Sequence, residues 1–233
     1  MRDKKAVVRQ TDGRRFQDGK IVIAIIDYEA GNLTSVARAL DNLGIKNSVT
    51  SDHREIGRAE RIIFPGVGAA GEATLNLKKS GLDTVIKEAF AAGKPLLGIC
   101  LGTQIVMEHS QEDNTTCLGI IKGNVVRFPP SMTTAENAAL KIPHMGWNQV
   151  NWLQPHPVFK NVPNGSEFYF VHSYYPVPAD RAQIIGETEY GIVFASVIGC
   201  KNLVAAQFHP EKSGPVGLSI LKNFASWDGT ADG

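Results

Sequence analysis

Three short apolar runs punctuate the first hundred residues: IVIAIID at 21–27, RIIF at 61–64 and PLLGI at 95–99. Each is too short for a buried helix, and their hydrophobicity is continuous rather than alternating, the pattern of strands covered on both faces in a parallel sheet. Amphipathic stretches separate them. LTSVARALDNL at 33–43 places apolar residues at helical spacing and stops at Gly44. A second helical stretch runs from PGVGAAGEA to about Ala92, and CLGTQIVMEH follows the third run as another. Strand and helix in alternation predict a parallel sheet with helices on both faces. Ligands of such sheets bind beyond the carboxyl ends of the strands. Asp27, Pro65 and Cys100 stand at those ends, so their loops are expected to share one crevice.

Beyond Cys117 the texture changes to shorter segments, GNVVRF, NQVNWL, EFYFVHSYY, AQIIGETEY, IVFASVI and NLVAAQF, which read as antiparallel strands. SGPVGLSILKNFASW closes the chain as an amphipathic helix. No linker separates the halves, so the expectation is a single three-layer α/β domain over residues 21–228, its central sheet mixed but mostly parallel. Residues 1–20 are basic and have no apolar core before a cleavage site, which reads as a poorly ordered extension rather than a secretory signal.

With 233 residues, 43% of them hydrophobic, the chain can bury a substantial core. A net charge of +1 offers no surface for nucleic acid or an anionic membrane, and no apolar stretch approaches a bilayer span. Cys100, Cys117 and Cys200, odd in number and widely spaced, argue against a disulfide framework and for a reducing, cytoplasmic compartment. Cys117 and Cys200 read as structural. The six histidines are scattered and none pairs with cysteine at zinc spacing, so no metal is expected; no phosphate-cradling glycine motif calls for a nucleotide cofactor.

Cys100 raises the chemical question. In GICLG it follows an apolar run and has a glycine two residues away on each side. A cysteine in such a run is most often a small buried hydrophobe. The glycines instead suit a sharp strand-to-helix turn with a nucleophile at its apex, the arrangement of the G-x-S-x-G elbow. HPEKS at 209–213 supplies a histidine beyond a strand and a carboxylate two residues on, a general base with its orienting partner. Such a base favours the reactive thiolate. A tetrahedral intermediate needs backbone donors, which the amide of Leu101 and the PGVG turn at 65–68 can offer. His144 and His172 read as satisfied buried histidines, and Trp147 with Phe168, Tyr169 and Phe170 as core or strand-face residues.

GICLGTQ, QFHPEKSG and PGVG resemble the signatures of class I, triad-type glutamine amidotransferases. IDYEAGNLTSV, IPHMGWNQV and FYFVHSYYPV narrow the resemblance to the glutaminase subunits of imidazole glycerol phosphate synthase, from about Ile21 to Phe224. It implies a flavodoxin-like fold, with Cys100 as nucleophile, His209 as general base and acid, and Glu211 as its orienter. It further implies Val67 and Leu101 as oxyanion donors, and Gly68, Gln104, Ser173 and Tyr174 around the glutamine. Asn32, Met145, Trp147, Asn148 and Lys212 match positions facing a cyclase partner, a (β/α)8 barrel that forms a heterodimer with the glutaminase and receives its ammonia. Two positions depart from the pattern. Glu29 replaces a common glycine, implying either a lost left-handed turn or a gained interface charge, and Thr103 replaces a common methionine. The rivals to this reading are a paralogous glutaminase serving a surface-sugar amidotransferase, a stand-alone cysteine hydrolase, and a non-catalytic module with a buried cysteine.

Overall fold

The computed structural model describes residues 23–29, 31, 33–133 and 139–230. The predicted extension, residues 1–20, lies outside them. The first run folds as β1 (Ile23–Ile26), followed by α1 (Leu33–Asn42), β2 (Asn47–Thr50), α2 (His53–Arg58) and β3 (Arg61–Gly66). Asp52 caps α2 by accepting from the amides of Arg54 and Glu55 at 2.8 and 3.0 Å. Lys94 closes its other end, donating to the carbonyls of Ile56, Gly57 and Ala59.

The helical stretch predicted to run to about Ala92 comprises two helices, α3 (Ala70–Ser80) and α4 (Leu82–Ala91). Gly81 between them takes φ 72°, a left-handed conformation that ends the first helix. The third run is β4 (Leu96–Cys100), and the helix after it, α5 (Leu101–Ile105), is half the predicted length.

The second half comprises β5 (His109–Ser110), β6 (Thr115–Thr116), β7 (Gly123–Arg127), β8 (His144–Trp152), β9 (Ser166–His172), β10 (Tyr174–Pro178), β11 (Ile184–Glu189), β12 (Val193–Cys200), β13 (Leu203–Ala206) and α6 (Gly214–Ser226). Among the described residues the large sheet runs β2-β1-β3-β4-β13-β12-β11-β8-β9. Its first five strands are parallel and the rest pair antiparallel. Alternation along β1 divides the core between the two faces of this sheet. Ile23 and Ile25 pack with Val36 and Leu40 of α1 and Ile220 and Phe224 of α6, whereas Ala24 and Ile26 pack with Leu77 and Ile86 of α3 and α4. Each fully buried aliphatic side chain contributes roughly 1.5–3 kcal/mol, which is what holds three layers together.

The segment EFYFVHSYY, read from the sequence as one strand, serves two sheets. β9 ends on the register pair His144 and His172, and β10 then pairs with β7 in a separate sheet ordered β10-β7-β5-β6. Pro176 and Pro178 explain the exit, because residues without N–H groups are tolerated at an edge such as β10. The crossing leaves Ser173 between sheets, close to the carboxyl ends of the parallel strands. Among the described residues no helix is long and apolar enough to cross a membrane.

Candidate active site

Cys100 closes β4 and leads straight into α5, with φ 54° and ψ −105°. A side chain rarely adopts such a backbone, at a cost of about 1–3 kcal/mol that the surrounding fold must absorb. The flanking glycines make the turn feasible by close packing. A Cβ on Gly98 would stand 3.0 Å from both the Ala205 Cβ and the Gly102 backbone, and one on Gly102 would collide with the Phe64 carbonyl. With nothing larger than hydrogen at either position, α5 sits directly on the sheet and the sulfur is carried to its edge. Cys100 is 6% exposed.

His209 follows β13, the strand paired with β4 on the other side from β3. Its amide donates to the Tyr169 carbonyl at 2.9 Å, and its own carbonyl accepts from Ser213 Oγ at 2.6 Å, which fixes the loop. Nδ1 meets Glu211 Oε1 at 2.8 Å, with both side chains almost wholly buried. Nε2, on the opposite side of the ring, has no hydrogen-bond partner of ordinary geometry among the described residues. Burial opposes the imidazolium, but the Cys100 sulfur and the Glu211 carboxylate outweigh it, raising the pKa of His209 to about 10. Gln207 Nε2 also donates to the Cys100 sulfur, at 3.8 Å.

Cys100 opens on a cavity of about 350 Å³ whose wall also includes Val67, Gly68, Leu101, Gln104, Ser173 and Tyr174. The residues expected to hold the glutamine and its oxyanion therefore line one space, while His209 is buried behind Cys100 and is not in its wall. Four others in the wall had been given no part in the site: Pro143, Val171 and His172, which lie within quoted motifs, and Glu112, which lies within none. Glu112 lies in a short helical turn far from any motif, and its Oε2 accepts from the Ala70 amide at 2.7 Å. Partial burial pushes its pKa up despite that bond, leaving a carboxylate whose charge is under-compensated and faces the cavity.

His172 belongs to a buried chain of hydrogen bonds. Its Nδ1 faces the Tyr174 carbonyl at 2.8 Å, so that nitrogen carries the proton and Nε2 accepts from His144 Nδ1 at 3.0 Å. His144 Nε2 then accepts from Asn148 Nδ2 at 3.2 Å. The Tyr174 carbonyl also accepts from Gln104 Nε2 at 3.0 Å, and that amide reaches Gln207 Oε1 at 3.1 Å. The two bonds that end on a ring nitrogen, His144 to His172 and Asn148 to His144, require neutral acceptor imidazoles. Burial lowers His144 to about 4 and His172 to about 3. His144 is further stacked between Phe170 and Tyr190.

The family model for class I glutamine amidotransferases matches residues 24–226. The chain belongs to that family. It is 50% identical over 203 residues to the imidazole glycerol phosphate synthase subunit HisH of Maridesulfovibrio salexigens, covering 87% of this chain and 95% of that one. The protein of the same description from Aromatoleum aromaticum is 49% identical over 208 residues, covering 88% and 98%. Among solved structures, PurLQS from Thermotoga maritima superposes with a TM-score of 0.68 at 16% identity, covering 88% and 97%, a likeness of fold.

In this amidotransferase the residues matched to a partner face divide. Met145 and Trp147, 61% and 56% exposed, project from the same face of β8. Trp147 stands edge-on to Tyr169, over whose ring Lys212 places its ammonium at 5.8 Å. Val171, paired with Met145, lines the cavity, so this patch lies beside the nucleophile's pocket. Asn148 is turned inward instead, bonded to His144 and to the Glu189 carbonyl at 2.9 Å. Asn32 lies outside the described residues.

Both departures from the family pattern have a structural account. Glu29 keeps the left-handed turn, with φ 65°, and its amide donates to Asp27 Oδ1 at 3.1 Å; the turn is not lost. Thr103 is fully buried and donates its hydroxyl to the Ala206 carbonyl at 2.6 Å, tying α5 to β13 beside the nucleophile. Cys117 and Cys200 are free thiols.

Proposed function

We propose that this chain is the glutaminase subunit of imidazole glycerol phosphate synthase, acting in histidine biosynthesis in the cytoplasm. The observation that carries the reading is a strained Cys100 that opens on the cavity and has a buried, Glu211-backed His209 against its sulfur, at the carboxyl end of a parallel sheet. The Cys100 sulfur attacks the side-chain carbonyl carbon of glutamine, forming a C–S bond and a tetrahedral oxyanion. The amides of Leu101 and Val67 are the donors for that oxyanion. Collapse breaks the C–N bond while His209 Nε2 gives its proton to the departing nitrogen, releasing ammonia. Water then attacks the thioester, His209 takes its proton, and glutamate leaves as the sulfur is restored. Glu211 holds the imidazole through Nδ1 and stabilises its charged form. Glu112 offers its carboxylate to the α-ammonium of glutamine, a charge match that places the carboxamide toward Cys100.

Met145, Trp147, Tyr169 and Lys212 form the docking patch for a cyclase subunit of (β/α)8-barrel type, which receives the ammonia. Exposed aromatic and thioether side chains with one cation have the composition of an interface core. Enclosed transfer has a chemical reason, since ammonia released to water at neutral pH becomes ammonium, which has no lone pair to attack with.

Glutamate release is to be measured for the chain alone and with the cyclase subunit and its nucleotide ligand. The expected result is a large partner-dependent rise that vanishes in Cys100→Ala. No release in either case, with Cys100 unlabelled by a glutamine-analogue alkylator, would overturn the reading.

A further inference from the structure

Tyr28 lies just beyond β1 and is 2% exposed, yet its hydroxyl has no hydrogen-bond partner among the described residues. Buried tyrosine hydroxyls normally find one. The hydroxyl sits against the last residue of β3: a Cβ on Gly66 would collide with it, and that same Cβ would stand 3.1 Å from the Leu101 Cβ. Burial, with the nearby Cys100 sulfur adding to it, pushes the phenol pKa far up, so the hydroxyl is always a donor. An orphaned donor is thus built against the end of β3, where the loop carrying the Val67 amide begins and beside the separate turn that carries the Leu101 amide.

The register says what it is there to meet. In the β3–β4 ladder the Ile62 amide donates to the Pro95 carbonyl, and the last pair is Gly66 with Cys100. Continued in steps of two, that ladder sets the Gly66 carbonyl opposite the Leu101 amide. An oxyanion needs that amide free and the Val67 amide turned toward Cys100. A planar trans peptide carries its N–H and C=O on opposite sides. Turning the Val67 N–H into the cavity therefore swings the Gly66 carbonyl away from Leu101, and Gly68, at φ 102°, supplies the backbone freedom beside it.

We propose that the Tyr28 hydroxyl receives the Gly66 carbonyl when the Gly66–Val67 peptide turns, so that Tyr28 is a positioning residue that holds the oxyanion loop in its working form. Glycine at 66 keeps the space between hydroxyl and backbone clear. The proposal rests on the glutaminase reading above.

The test is Tyr28→Phe, assayed as the complex with the cyclase subunit at saturating nucleotide ligand. One neutral hydrogen bond gained only with the turned peptide predicts a fall in kcat of about five- to tenfold with KM for glutamine unchanged. The melting temperature should hold or rise, since the variant discards an unpartnered buried hydroxyl. Alkylation of Cys100 by iodoacetamide, a substitution at carbon that builds no oxyanion, should keep its rate. A kcat within twofold of wild type overturns the proposal. So does a fall in kcat matched by an equal fall in alkylation, which moves the effect to the sulfur, or a clear loss of melting temperature, which moves it to packing. A wild-type complex without glutaminase activity overturns the functional reading and this inference together.

Discussion

Acidification from pH 6.5 to 5 should strip stability from this fold through two residues buried behind the nucleophile. His144 and His172 are held neutral by their mutual hydrogen bond and by burial, which lowers them to about 4 and about 3. An unfolded chain takes up a proton on each near pH 6.5, whereas the folded protein does not. The unfolded state thus binds more protons across this window, and stability falls as pH falls, by about 1.4 kcal/mol per pH unit for each group. That slope is reached only below the unfolded pKa, where the unfolded imidazole is fully protonated, so the loss from pH 6.5 to 5 integrates to about 1.6 kcal/mol for each histidine and about 3 kcal/mol for the pair, a large share of a typical domain's total. Half-buried His156, lowered to about 4, adds in the same direction. His209 acts oppositely: its raised value gives stability that is complete below pH 6.5 and lost as the pH rises toward 10. Urea unfolding followed by tryptophan fluorescence at closely spaced pH values measures the slope, provided the denaturant dependence stays constant. His144→Phe, which keeps a ring between Phe170 and Tyr190, should remove about half of the pair's pH-dependent loss while lowering stability at pH 7. Proton NMR titration supplies the refutation: if the His144 or His172 ring titrates above pH 6 in the folded protein, the reasoning is wrong.

Glu211→Gln should lower kcat for glutamine hydrolysis by roughly 10²–10³-fold and also lower stability at neutral pH, because a neutral amide does not stabilise the charge on the buried His209 ring; steady-state glutamate release and urea unfolding check the two effects. Glu29→Gly should raise stability by about 0.5–1 kcal/mol, or a few degrees in melting temperature, since it relieves an unfavourable left-handed backbone at some cost in unfolded-state entropy. The Asp27 bond survives that change because it is made to the backbone, and calorimetry would read the difference.

Short-range chemistry made much of this legible in sequence. β1, β3 and β4 announce themselves because strands buried on both faces must be apolar at every position. Cys100 and His209 are visible because each follows such a strand and carries its own punctuation, glycine in one case and proline in the other. The missed features depend on distant partners. Nothing near Glu112 hints that its carboxylate faces the cavity, since that placement comes from the Ala70 amide, 42 residues earlier. The division of EFYFVHSYY between two sheets depends on β7, whose pairing no local pattern encodes. Alternation places His172 on the buried side of β9, but its place in a polar chain needs His144 and Asn148, residues on β8. Trp147 shows the reverse, an aromatic residue in a strand that periodicity assigns to the core and that stands in solvent.

The backbone at Cys100 also bears on which nucleophiles evolution could have tried there. At φ 54° and ψ −105°, a side chain with one heavy atom on its β-carbon is tolerated under strain, and a branched one crowds its own main chain. Serine passes that filter and threonine does not, whatever the reactivity of its hydroxyl. The choice of reactive atom at this turn was therefore narrowed by steric shape before chemical merit was ever compared.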